Sequence, residues 1–299
     1  MSSVAPNSFR AWLLAARPKT LTAACAPVII AVALAWRVVP LRLTTAVLCL
    51  LFAGFMQIAS NFINDLYDFL RGTDGSDRLG PERACAQGWI TPRAMRRGIA
   101  LVIALACTAG LLLLASAEHR LALVLLGASC VVFAFLYTTY LSYRALGDVL
   151  VVVFFGFVPV LGTYFVLTDG LSTAAWWLGA ACGLVTDTLL VVNNYRDRDT
   201  DRAAGKVTLI ALLGERGGSA LYLLLGVVGV ICAAVGGCCA VGHGTAAMYV
   251  ITIYLLLHAV AYRRMRQIRC GRALNAILAI TARNILIFSL LTTLALILA

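Results

Sequence analysis

Along this chain the apolar residues neither alternate with polar ones nor keep to one helical stripe. They come in continuous runs of about 20 residues, separated by shorter polar segments. Such a run is long enough to cross a hydrocarbon core about 30 Å thick. Backbone groups in lipid must find their hydrogen bonds within the chain, and these runs lack the two-residue period of barrel strands, so each reads as an α-helix. The pattern predicts nine spans, at roughly residues 21–39, 44–66, 95–116, 121–141, 148–168, 173–195, 218–240, 245–262 and 274–298. No Pro/Ser linker or low-complexity tract divides them, so residues 1–299 read as a single transmembrane domain. The fold class expected is an all-α polytopic membrane protein. Two polar segments, 67–94 and 196–217, are long enough to be functional rather than mere connections.

Composition agrees with a lipid solvent: 62% of the 299 residues are hydrophobic and 12% charged, against about 25% charged in soluble domains. The net charge of +11 does not indicate nucleic acid, because the cations sit in short segments between spans and form no stripe. With nine spans, segments 1–20, 67–94, 142–147, 196–217 and 263–273 share one face, and they hold nearly all the Arg and Lys. The opposite face has Arg37, Arg42 and Arg120, and Arg283 falls within a span. The positive-inside rule makes the first face cytoplasmic, with the N-terminus on it. No cleavable signal is expected, since the first apolar run continues as a full span. Ten cysteines include no CxxC pair, and six lie within apolar runs, where they act as small apolar fillers.

Two polar clusters interrupt this picture. One runs from Asn61 to Asp68 and the other from Asn194 to Asp201, each at the cytoplasmic end of a predicted helix. A shift of 133 residues aligns Asn61 with Asn194, Asn64 with Asp197 and Asp68 with Asp201, so both sets have offsets 0, 3 and 7. At about 3.6 residues per turn those offsets share one helix face. Carboxylate and amide oxygens without His or Cys select a hard cation such as Mg²⁺, which completes its shell with water and substrate phosphates. Arg71, Arg78, Arg83, Arg198 and Lys206 follow the clusters and suit phosphate oxygens. Lys206 stands out as one of only two lysines.

These residues resemble the UbiA superfamily of intramembrane prenyltransferases, with nine helices and two aspartate-rich motifs. Asn64-Asp65-Leu66-Tyr67-Asp68 fits the first motif and Asn194 to Asp201 the second. The menaquinone branch, which acts on 1,4-dihydroxy-2-naphthoate, is the nearest likeness. It is carried by Ala16-Arg17-Pro18-Lys19-Thr20-Leu21, Asn64 to Asp74, Arg78-Leu79-Gly80-Pro81 with Arg83-Ala84, and Asn193 to Asp197 leading to Asp201-Arg202-Ala203-Ala204-Gly205-Lys206. Asp74 lies six residues past Asp68, as in that branch. The chain departs from the branch after the fourth helix, where Tyr137 to Arg144 replaces a Gly-Gly-Pro turn.

The resemblance implies a helical bundle around a central cavity open to the cytoplasmic side, in a bacterial cytoplasmic (inner) membrane. It also implies transfer of a polyprenyl group from polyprenyl diphosphate to 1,4-dihydroxy-2-naphthoate, with loss of diphosphate and CO₂ to give demethylmenaquinol. Two Mg²⁺ ions would be held by Asn64, Asp68, Asn194, Asp197 and Asp201. Asp65, Asp68, Asp197, Asp201 and Lys206 would be catalytic, and Asn61, Asp74, Tyr137 and Tyr140 would contact substrate, the tyrosines flanking an allylic cation. Arg283 and Asp187, both within spans, are expected to pair. Other aromatic acceptors, 4-hydroxybenzoate or homogentisate, are the nearest alternatives. A transporter is a more distant one, because transporter sites lie at the midplane and both clusters lie at the rim.

Overall fold

The computed structural model describes residues 4–72, 79–115, 117–203, 205–242 and 246–298. Asp74 and Arg78 of the expected site lie outside the described residues. The chain forms α1 (Phe9–Ala16), α2 (Pro18–Trp36), α3 (Leu43–Leu70), α4 (Pro92–Leu114) and α5 (Arg120–Thr139). After a 3-10 turn at Leu141–Tyr143, α6 (Gly147–Val152) runs through a π-helical turn (Val153–Phe157) into α7 (Val158–Thr168). Then come α8 (Thr173–Ala203), α9 (Leu209–Val241), α10 (Ala246–Ile268) and α11 (Leu274–Leu298). The described residues contain no strand, only an isolated bridge between Arg144 and Val207.

Among the described residues, eight helical stretches are long and apolar enough to cross a membrane, with Gly147–Thr168 counting as one. The expected span at 245–262 coincides with α10, a 23-residue helix that is not among those eight. Exposed leucines such as Leu101, Leu112, Leu121, Leu125, Leu224 and Leu256 give the bundle an apolar exterior, as a protein solvated by lipid requires.

Local chemistry sets the helix ends. Arg17, at φ 51°, turns the chain between α1 and α2, and Pro18 opens α2, where its missing N–H costs nothing. Ser8, Thr91 and Thr208 cap α1, α4 and α9 by accepting from Ala11 N, Ala94 N and Ala211 N. The helices that carry the two clusters outrun the expected spans, ending at Leu70 and Ala203 rather than near 66 and 195. At 28 and 31 residues they are about 42 and 46 Å long, well beyond the hydrocarbon thickness. The expected long segment 196–217 is correspondingly mostly helix, because α9 starts at Thr208's cap and bends at Gly214, whose φ of 68° suits glycine. Hydropathy ended these helices where charge began, but a helix needs only its own hydrogen bonds to continue into a polar layer.

Glycines draw two other elements together. A Cβ on Gly156 would lie 2.4 Å from the Gly179 carbonyl oxygen, and one on Gly183 would lie 2.6 Å from that of Val152. The α6–π–α7 rod is therefore pressed against α8 backbone to backbone, with the π turn at the contact. Between α2, α3, α4, α5, α6, α7, α8 and α11 a cavity of about 980 Å³ remains open.

Candidate active site

The cavity has two ends of opposite character. Asn61, Asn64, Asp68, Arg83, Asn194 and Lys206 line the polar end, while Phe52, Leu111, Leu123, Val124 and Val166 line the apolar end. One chamber thus offers both a charged rim and an oily channel.

On α3, Asn64 and Asp68 stand one turn apart. Asn64 Oδ1 accepts from Thr138 Oγ1 at 2.8 Å, and Asp68 Oδ2 accepts from Arg83 Nη2 at 2.9 Å. Asn61 also faces the cavity, but its amide holds the α1–α2 junction: Nδ2 donates to Ala16 O at 2.9 Å and Thr20 Oγ1 at 3.0 Å. Gln57 Nε2 donates to Asn61 Oδ1 at 3.3 Å, a turn closer to the apolar end.

Asp65 differs from the expectation of a catalytic role. It is 1% exposed, does not line the cavity, and accepts from the backbone N–H groups of Ala84 (2.9 Å) and Cys85 (2.8 Å). Its position between Asn64 and Asp68 puts it on the other side of α3, where it anchors the loop that carries Arg83. Arg71 is likewise turned away from the cavity lining: it donates to the carbonyl oxygens of Thr138 (3.0 Å) and Thr139, satisfying the end of α5.

On α8, Asn194 is buried in the cavity wall. Asp197 is not among the lining residues. Its carboxylate is gripped by Arg196, with Nε at 2.7 Å and Nη2 at 2.5 Å. Arg196 in turn donates to Asn275 Oδ1 (2.7 Å) and Asn193 Oδ1 (2.9 Å), and Asn275 Nδ2 donates to Leu79 O at 2.9 Å. Asp201 lies 3.4 Å from Lys206 Nζ through Oδ1, while Oδ2 is buried with no hydrogen-bond partner among the described residues.

Lys206 reaches the rim because Ala145 N donates to Val207 O at 2.7 Å, tying the segment after α8 to the one before α6. Arg198 points elsewhere. It is buried, donates to the carbonyls of Tyr195 (2.7 Å) and Arg269 (2.8 Å), and lies near Glu215. It fastens the end of α8 to α9 and α10 and does not line the cavity.

The tyrosines divide. Tyr137 lines the cavity, whereas Tyr140 is 47% exposed and stacks under Arg144, whose guanidinium lies 4.0 Å from the ring centroid. Tyr143, which the sequence did not single out, does line the cavity, with Arg71 at 4.7 Å and Lys206 at 5.8 Å from its ring. The expected Asp187–Arg283 pair is absent among the described residues. Arg283 is exposed and donates to Asn284 Oδ1 at 3.3 Å, while Asp187 is 1% exposed with Oδ1 unpartnered. Sequence spacing placed both charges at similar depth but carried no information about helix rotation.

Asn64, Asp68 and Asn194 on the cavity wall, with the buried orphan oxygen of Asp201 beside Lys206, form an oxygen-only set that fits a hard divalent cation. No group of three or more His, Cys, Asp or Glu forms a compact metal site among the described residues. The set is as sparse as Mg²⁺ tolerates when phosphate oxygens supply the rest.

Residues 24–281 match the model of the UbiA prenyltransferase family. The chain belongs to that family. It is 40% identical over 213 residues to a 1,4-dihydroxy-2-naphthoate octaprenyltransferase of Escherichia coli K12, covering 69% of each chain. It is 39% identical over 233 residues to the protein of the same name from Mycobacterium tuberculosis, covering 75% of this chain and 77% of that one.

Two solved structures share the fold. A UbiA homolog from Aeropyrum pernix K1 superposes with TM-score 0.70 at 22% identity, covering 90% of this chain and 96% of that one. One from Archaeoglobus fulgidus bound to GPP and Mg²⁺ gives 0.64 at 18%, covering 97% and 100%. This UbiA-family chain is thus an integral membrane prenyltransferase, and its two polar clusters lie at one end of a chamber whose other end is apolar.

Proposed function

We propose that this enzyme transfers a polyprenyl group from polyprenyl diphosphate to 1,4-dihydroxy-2-naphthoate, releasing diphosphate and CO₂ and forming demethylmenaquinol. The observation that carries the proposal is a single cavity with amide, carboxylate and cationic side chains at one end and a long apolar wall at the other. The relatives named for naphthoate octaprenyl transfer support the choice of acceptor. The archaeal homolog bound to GPP and Mg²⁺ supports the donor and the metal.

Asn64, Asp68 and Asn194 on the cavity wall, with Asp201 beside Lys206, would hold two Mg²⁺ ions at the polar rim, while Asp197 would reach them only on release from Arg196. When bound, Mg²⁺ neutralises charge that develops on the leaving diphosphate. Arg83 and Lys206, both on the cavity wall, add cationic contacts to the same oxygens. Tyr137 presents a ring to the allylic carbon as its C–O bond breaks; aromatic faces stabilise nearby cations by about 0.5–2 kcal/mol. The apolar wall from Phe52 to Val166 takes the tail and excludes water from the reacting carbon.

Residues 1–299 act as one domain in the bacterial cytoplasmic membrane. The N-terminus and the polar rim face the cytoplasm, and α10 serves as a ninth span.

The test is direct. Purified enzyme in lipid is given Mg²⁺, radiolabelled octaprenyl diphosphate and, in turn, 1,4-dihydroxy-2-naphthoate, 4-hydroxybenzoate and homogentisate. A lipid-soluble product and ¹⁴CO₂ from carboxyl-labelled naphthoate, both abolished by chelation, are expected. Product with another acceptor alone would overturn the naphthoate reading.

A further inference from the structure

The contact between the α6 rod and α8 has a fixed antiparallel register. Gly156 meets Gly179, and four residues back along one helix and forward along the other, Val152 meets Gly183. One further turn in the same sense sets Asp148 opposite Asp187, and beside them a Cβ on Gly147 would lie 3.5 Å from Leu190.

Asp148 is 7% exposed and lines the cavity, Asp187 is 1% exposed, and Oδ1 of each has no hydrogen-bond partner among the described residues. Neither belongs to the metal clusters or to the cationic contacts of the rim. Orphaned acceptors in a membrane wall are costly, and of the two only Asp148 lines the cavity, where a ligand can satisfy it.

The surroundings narrow the ligand. Leu150, Val151, Phe154, Leu190 and the Tyr137 ring line the cavity beside Asp148, and a Cβ on Gly147 would lie 3.8 Å from the Tyr137 hydroxyl. Flat apolar walls with an acceptor at their edge suit an aromatic ring that carries a hydroxyl donor. Two carboxylates alone are too few ligands for a resident metal, and the described residues hold no third acidic, His or Cys partner.

We propose that Asp148, positioned by Asp187, is the acceptor-recognition residue: its carboxylate accepts a hydrogen bond from the ring hydroxyl remote from the acceptor's own carboxylate. Like-charge repulsion then turns the naphthoate carboxylate away from Asp148 and toward the cationic end, where Lys206 and Arg83 lie. This inference rests on the proposed function and names the side chain that reads the acceptor.

The experiment is equilibrium binding, by isothermal titration, to the enzyme in nanodiscs with Mg²⁺ and a non-hydrolysable octaprenyl thiodiphosphate. The two ligands are 1,4-dihydroxy-2-naphthoate and 1-hydroxy-2-naphthoate, which differ only in the remote hydroxyl. Wild type should bind the dihydroxy compound about tenfold or more tightly than the monohydroxy one, as expected for a hydrogen bond to a charged group.

Asp148→Asn and Asp148→Ala should weaken the dihydroxy compound by at least about tenfold while leaving the monohydroxy compound and the thiodiphosphate within about twofold; Asp187→Asn should shift the ratio in the same direction by less. Retained thiodiphosphate binding shows that each variant is folded. Equal affinities in wild type, or an unchanged ratio in both Asp148 variants, would overturn the inference. Turnover of dihydroxynaphthoate by wild type tests the proposed function alone, since it does not depend on which wall residue reads the ring.

Discussion

At the residue scale the two clusters separate into side chains that face the chamber and side chains that build it. Asn64, Asp68 and Asn194 face it, and Asp201 sits just behind Lys206 with one oxygen unspent. Asp68→Ala and Asp201→Ala should each lower turnover by about a thousandfold, within the range for removing a group that stabilises transition-state charge, with expression and thermal stability intact. Steady-state rates at saturating Mg²⁺ check this, and full activity in both variants would refute the assignment.

Asp65 and Arg198 should behave in the opposite way. Asp65→Ala removes two charge-assisted bonds to buried backbone N–H groups, at about 1.5–3 kcal/mol each before relaxation. Arg198→Ala frees the Tyr195 and Arg269 carbonyls. Both variants should denature at lower temperature in detergent, and the Arg198 variant should keep the wild-type KM for prenyl diphosphate. A raised KM with unchanged stability would return Arg198 to the diphosphate site.

At the scale of elements, the sequence foretold which stretches are helical, because an apolar run in lipid has no other way to satisfy its backbone. Helix ends were less legible. The helices of both clusters run past Tyr67 and Tyr195 to Leu70 and Ala203, since charge limits insertion in lipid and not helicity. The rotation of each helix was not legible at all. For that reason Asp197 could be matched to Asn64 by spacing yet face Arg196 instead of the chamber, and Arg283 could be paired with Asp187 on paper.

Asp148 is the only acidic residue between Glu118 and Asp169, and a lone acid opening an apolar run is a signal that could have been read. What no one-dimensional pattern holds is the Gly156–Gly179 and Val152–Gly183 register that brings Asp148 to Asp187. Gly183→Val should therefore wedge α6 from α8. The Cβ alone would come within 2.6 Å of the Val152 carbonyl oxygen and 2.8 Å of its Cα, both backbone atoms that cannot swing aside. The expected outcome is a sharp loss of folded, monodisperse protein in size-exclusion chromatography; a normal profile would show that the two rods can part.

At the scale of the whole molecule, the chamber joins two solvents: ionic chemistry at one end, and at the other an oily wall that must hold a tail far longer than the reacting head. Three glycines line the apolar part, and they are not equivalent. A Cβ at Gly110 would lie 3.5 Å from Phe52, and one at Gly162 would lie 3.2 Å from Leu126, but one at Gly127 would meet nothing within 4 Å. Gly127 can therefore be enlarged into the cavity without displacing backbone, and a phenyl ring there would occupy space proposed for the prenyl tail.

Burying each methylene contributes about 0.8 kcal/mol, so excluding one five-carbon isoprene unit forfeits about 4 kcal/mol and should cost a long donor up to roughly a thousandfold in kcat/KM. Gly127 lies ten residues, about 15 Å, along α5 from Tyr137, so a geranyl donor, with only two isoprene units, should be little affected. Gly127→Phe is thus expected to invert or flatten the preference for octaprenyl over geranyl diphosphate, read from product formed with each donor under matched conditions. Equal losses with both donors would place the tail elsewhere, because a blocked channel discriminates by length and a damaged fold does not.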